Sequence, residues 1–144
     1  MSVYLDTSAL LKRYLPERNS DAFETYFRDV ESAQISRLTL VELRSALARK
    51  RREGRFNASK EAEALIEIST DIQDGLLTVS PASDIHFVAA FHLMGRLPEL
   101  PLRTLDALHL ATAQTLETDT LATADDVMRR AAQALGLTVV YFGD

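Results

Sequence analysis

Asp6, Glu42, Asp106 and Asp125 each stand where a helix should begin. Asp6 follows the short apolar run Val3-Tyr4-Leu5, and Asp125 follows closely on Thr120-Leu121-Ala122. Both runs read as strands. In a parallel α/β sheet, strand ends and the starts of the following helices share one edge. Acids far apart in sequence can therefore meet in one pocket. Carboxylates crowded together resist joint ionisation, and a hard divalent cation such as Mg²⁺ or Mn²⁺ removes that cost. An open, carboxylate-held metal suits phosphodiester hydrolysis.

The elements that would position these acids can be read along the chain. Strands are expected at 2–5, 33–36, 76–79, 120–122 and 138–141. Helices are expected at 7–15, 20–29, 38–53, 58–73, 83–93, 104–117 and 125–135. Pro16 ends the first helix. Asp74-Gly75 marks a turn, and helices should stop near Gly54 and Gly136. Residues 96–102, the one proline-rich stretch, read as a loop. Alternating strands and helices predict an α/β fold with a mainly parallel sheet covered on both faces. Phe23, Tyr26, Phe27, Phe87 and Phe91 recur at helical spacing and are expected in the core.

Each acid also has a plain structural explanation. Asp6 can cap the first helix. Thr39 and Glu42 have capping-box spacing, as do Thr123 and Asp126, which leaves Asp125 without an obvious structural role. Asp106 suits a first helical turn. It lies behind a loop, so pattern alone does not bring it beside Asp6. His109, three residues after Asp106, is expected to pack or support a ligand more than to be one, because histidine prefers softer metals. Thr7 and Ser8 have no adjacent histidine base to make a nucleophile. They are expected to bond a metal-bound water or a phosphate oxygen.

Composition narrows the classes further. The 144 residues fit one domain, 1–144. There is no cysteine, which excludes disulfides, zinc–thiolate sites and thiol catalysis. No apolar run reaches the roughly 20 residues of a membrane span, and the N-terminus has no signal pattern. A cytoplasmic protein is expected. The net charge of −5 argues against a general nucleic-acid coat protein. Yet Arg44, Arg49, Lys50, Arg51, Arg52, Arg55 and Lys60 fall close together. They read as a solvated helix end or as a patch facing phosphate or a partner.

YLDTSALLKRY, SRLTLVELRSAL, LRTLDALHLATA and LATADDVMRRAAQALGL, in that order, also carry a resemblance. Nearly end to end, the chain resembles a PIN-domain ribonuclease of the VapC type, the toxin of a bacterial toxin–antitoxin pair. The resemblance implies a three-layer α/β/α sandwich, Mg²⁺ or Mn²⁺ dependence and endonucleolytic RNA cleavage to 5′-phosphate and 3′-hydroxyl ends. It also implies homodimers and a small antitoxin that blocks the site. Asp6, Glu42, Asp106 and Asp125 match the family's acidic quartet, with Asp6 and Asp106 the firmest metal ligands. Thr123 and Ser8 match supporting polar positions.

Other readings compete. A stand-alone RNA-processing nuclease would share the same acids. An aspartate-phosphorylated phosphatase wants a second Asp at position 8, which is Ser; a receiver wants a late lysine, and none follows Lys60. A non-catalytic binding module would use the acids only as caps. Stabilisation by a divalent cation separates it from a nuclease.

Overall fold

A computed structural model of the chain describes residues 2–144; Met1 of the expected 1–144 domain lies outside the described residues. The elements run β1 (Val3–Leu5), α1 (Thr7–Tyr14), α2 (Ser20–Arg28), β2 (Ala33–Ser36), α3 (Arg37–Arg52), α4 (Ala58–Gln73), β3 (Leu77–Ser80), α5 (Asp84–Arg96), α6 (Thr104–Thr115), β4 (Thr120–Thr123), α7 (Asp126–Ala134) and β5 (Thr138–Tyr141). Every expected element is present, and boundaries differ by at most three residues.

The five strands form one sheet in the order β3-β2-β1-β4-β5, and every pairing is parallel. From central β1 the chain first builds outward through β2 and β3. It then returns to the other side of β1 for β4 and β5. The ends of β1 and β4 therefore border the point where the winding reverses, which is where open α/β sheets form their crevice.

Strand alternation splits the core. Val3, Leu5, Ala33, Ile35 and Leu77 pack with Leu10, Phe23, Phe27, Leu43, Leu47 and Ile68 of α1–α4. Tyr4 and Leu121 pack on the other face with Leu93, Leu108, Leu110, Met128 and Ala131 of α5–α7. This is the expected α/β/α sandwich. Burying a leucine such as Leu10, Leu43 or Leu47 contributes about 1.5–3 kcal/mol, so α1 and α3 are held firmly against the sheet. Helix α6 has an unbroken buried run from Ala107 to Ala113, the pattern of a helix enclosed on all sides.

Two expectations fail here. Phe87 and Phe91 are 53% and 75% exposed, and with Ile85 and Val88 they leave an apolar stripe on α5. The spacing marked one helix face correctly, but that face turns away from the core. The capping box of α3 is formed by Ser36 and Thr39. Ser36, at the end of β2, accepts from the Leu38 N–H at 3.0 Å. The helix thus starts earlier than a Thr39 cap requires, and Glu42 falls in its second turn.

Candidate active site

Asp6, Glu42, Asp106 and Asp125 line one cavity of about 560 Å³. Its wall also includes Thr7, Ser8, Arg49 and Arg103. The expected convergence of the acids is therefore observed, including Asp106, which strand order alone did not place.

Asp6 occupies the N-cap position of α1 but its side chain makes no cap bond. Its carboxylate is held sideways instead. Asp6 Oδ2 accepts from Ser8 Oγ and from Thr123 Oγ1, each at 2.8 Å. Ser8 Oγ in turn accepts from the Ala124 N–H at 2.9 Å, and Thr123 Oγ1 accepts from the Asp125 N–H at 3.1 Å. Two hydroxyls thus knot the end of β1 to the end of β4 beside Asp6 and Asp125.

Asp125, left without a structural role by its sequence, is the N-cap of α7. Its Oδ1 accepts from the Met128 N–H at 2.9 Å. The expected Thr123–Asp126 capping box is absent. Thr123 is buried under Asp6, and Asp126 turns outward to Arg129 and Arg130.

Glu42 reaches the cavity from α3. Its Oε1 accepts from Thr7 Oγ1 at 2.8 Å and contacts His109 Nε2. Burial would raise the Glu42 pKa, but the His109 and Thr7 hydrogen bonds and the His109 charge outweigh it and lower it. Burial likewise would lower His109, but the bond to Glu42 and the charges of Asp6, Glu42 and Asp106 raise it. His109 Nδ1 lies 2.7 Å from the Tyr4 hydroxyl. Burial pushes that phenol far above its usual range, so it stays a neutral hydroxyl. Thr7 and Ser8 were expected to face water or phosphate. Their hydroxyls are engaged on carboxylates instead.

Asp106 enters from the first turn of α6. It accepts from the Arg103 N–H at 3.3 Å, and the Arg103 guanidinium is 3.7 Å away on the surface. Burial raises the Asp106 pKa. The charges of Asp125 and Asp6 add to that, and the Arg103 bond offsets only part.

The basic run at 44–60 does not make one patch. Arg49 faces the acid cavity, whereas Arg44 faces an apolar groove between α3 and α4. Arg51 pairs with Glu61 and Lys60 with Glu63.

The donors at the cavity are carboxylate oxygens, the set preferred by Mg²⁺ and Mn²⁺. A half-buried carboxyl raised first by burial and then by acidic neighbours is an electrostatic situation a cation relieves. The donor set therefore fits a hard divalent ion. Among the described residues, no group of three or more His, Asp or Glu side chains stands close enough together to hold a metal ion as it is. The acids line an open pocket.

The PIN domain family matches residues 3–134. Ribonuclease VapC46 of Mycobacterium tuberculosis is 38% identical over 141 residues, covering 96% of each chain. VapC20 of Mycobacterium tuberculosis, a toxin that cleaves the sarcin–ricin loop, superposes with a TM-score of 0.72. It is 17% identical and covers 90% of this chain and 95% of its own. A toxin–antitoxin complex from Klebsiella pneumoniae superposes with a TM-score of 0.65 at 21% identity, covering 96% of each chain.

Proposed function

Because this chain belongs to the PIN-domain family, among its VapC ribonucleases, we propose that it is a metal-dependent endoribonuclease and the toxin of a toxin–antitoxin pair. The observation that carries the reading is the single cavity lined by Asp6, Glu42, Asp106 and Asp125. The 1–144 chain acts as one nuclease domain, working in the cytoplasm. No helix of the described residues is long and apolar enough to cross a membrane.

Asp6 and Asp106 would hold Mg²⁺ or Mn²⁺ directly, with Glu42 and Asp125 completing the set or orienting the attacking water. A divalent ion bound there supplies Lewis-acid stabilisation and a more acidic water. The chain's own residues do the rest. Ser8 and Thr123 fix Asp6 through Oδ2. Thr7 and His109 fix Glu42 through Oε1, and that carboxylate would take the proton of the water. Arg49 and Arg103, on the cavity wall, offer charge to the phosphate oxygens of RNA. Water oxygen bonds to phosphorus, the bond to the 3′ oxygen breaks, and that oxygen takes up a proton. The products are a 5′-phosphate and a 3′-hydroxyl.

The decisive test is cleavage of total RNA by the purified, partner-free protein. Cleavage should occur with Mg²⁺ or Mn²⁺ and stop with EDTA. Absence of cleavage in every condition, with no thermal shift on adding Mn²⁺, would sink the nuclease and favour a binding module.

Two surfaces support the partners. The groove lined by Leu40, Val41, Leu65, Ile68 and Ile72 adjoins the acid cavity through Ser45. An antitoxin segment seated there would lie against the site it blocks. The exposed α5 stripe of Ile85, Phe87, Val88 and Phe91 suits a homodimer, since monomers rarely leave a large contiguous apolar patch in water. Phe91→Asp places a charge in the stripe and is expected to yield monomers by sedimentation. A parent that is itself monomeric, or a mutant that stays dimeric, refutes this interface.

A further inference from the structure

We propose that His109 is a positioning residue for Glu42, and that Tyr4 orients it for that task. The inference rests on the nuclease reading, which gives the Glu42 carboxylate its purpose.

The geometry is a buried relay across three elements. Tyr4 lies on central β1 and is wholly buried, and His109 on α6 is 1% exposed. The Tyr4 hydroxyl is 2.7 Å from His109 Nδ1, and His109 Nε2 meets Glu42 Oε1. The two rings meet edge-on, 5.8 Å between centroids. The imidazole is therefore held at both nitrogens, and its plane is fixed by packing. Asp6 Oδ1 lies 4.0 Å from the same Nε2, so this nitrogen stands between two acids of the cavity.

Hydrogen-bond logic limits the forms the ring can take. If imidazole is neutral, the Tyr4 hydroxyl donates to Nδ1 and the proton sits on Nε2. If imidazole is charged, Nδ1 donates to the Tyr4 oxygen and Nε2 again carries a proton. Either way an N–H points at Glu42. The neutral Nδ1–H form is disfavoured, because it sets a lone pair against the carboxylate. Thr7 supplies the second donor to the same oxygen. Glu42 is thereby clamped through one oxygen, leaving the other for the cavity. A histidine that only filled space would need neither partner.

The test uses the full-length protein. Two-dimensional ¹⁵N NMR of the imidazole is expected to show a proton on Nε2, and a neutral Nδ1–H ring overturns the proposal without any variant. His109→Leu keeps the volume apolar and removes both bonds. It is expected to lower kcat and Mn²⁺ affinity by about 10–100-fold, the usual cost of losing a partner that orients a ligand, with the KM for RNA within about twofold because no phosphate contact is lost. His109→Gln carries an amide N–H for Glu42 and an oxygen for Tyr4, and should restore most of both quantities. Equal losses in folded His109→Gln and His109→Leu, or parent-like values in both, refute positioning. Should His109→Leu not fold, the NMR form and the Gln variant still decide. Parent protein that binds Mn²⁺ but leaves RNA intact, with the Nε2 proton in place, would fault the substrate and not the relay.

Discussion

Asp6→Asn leaves the chain folded and lowers RNA cleavage by at least about 1,000-fold. A metal-held transition state is worth several kcal/mol, and each 1.4 kcal/mol is about tenfold in rate. The fold should survive because the amide oxygen can occupy the Oδ2 position. There it still accepts from Ser8 and Thr123, the two bonds that knot β1 to β4. What changes is the other atom. An uncharged NH₂ replaces Oδ1, the oxygen not held by Ser8 and Thr123, so the charge and one hard donor vanish together. Single-turnover cleavage with Mg²⁺, beside a circular-dichroism melt, checks both halves. Cleavage at the parent rate would remove Asp6 from the site. A collapsed melt would show that the knot needs the charge as well as the acceptor.

That knot also shows where sequence reasoning reached. Asp6 and Asp125 could be brought together from sequence because each follows a short apolar strand and parallel order puts such ends on one edge. Asp106 could not, since α6 follows the loop before Thr104. Its place is set by burial of α6 on nearly every side, a matter of packing with no local signature. Glu42 was placed near the start of α3 for the wrong reason. Ser36 ends β2 and caps the helix at once, and no propensity distinguishes it from Thr39.

The Tyr4–His109 contact spans 105 positions. Tyr4 reads as one more apolar strand residue, and its hydroxyl acquires meaning only when α6 is laid over β1. The basic run fits its helix-end reading, with Arg49, Lys50, Arg51 and Arg52 in the last turn of α3, and falls short only as a single patch. Successive helical residues turn by about 100°, so a cluster in sequence becomes a scatter in space, with Arg49 at the acids and Arg44 at the groove. Repeating phenylalanines at 87 and 91 likewise define a face without saying what covers it.

The other end of α1 carries the largest expected loss of stability. Asp71, on α4 and 3% exposed, accepts from the Tyr14 hydroxyl at 2.6 Å. It also accepts from Arg13 Nε at 2.8 Å and from Arg13 Nη2 at 3.1 Å. Arg13 stacks 4.9 Å above the Phe27 ring and reaches Glu24, so one guanidinium joins α1, α2 and α4. The bond to Asp71 is the main reason the Arg13 pKa is raised. Asp71→Ala leaves the mostly buried Arg13 cation with Glu24 alone and strands a buried phenol. Breaking such a pair from one side costs about 3–5 kcal/mol, or roughly 10–17 °C of melting temperature at this chain length. Replacing both partners is different: Asp71→Leu with Arg13→Met exchanges the pair for apolar contact and should recover most of the loss. Along α1, Arg13 stands about 8–9 Å from Ser8 and Thr7 at the helical rise per residue. Cleavage by Asp71→Ala should therefore match the parent well below the melt. A melting shift under about 2 °C would mean the pair contributes little, and a loss of kcat at full folding would mean that α1 transmits the defect to the acids.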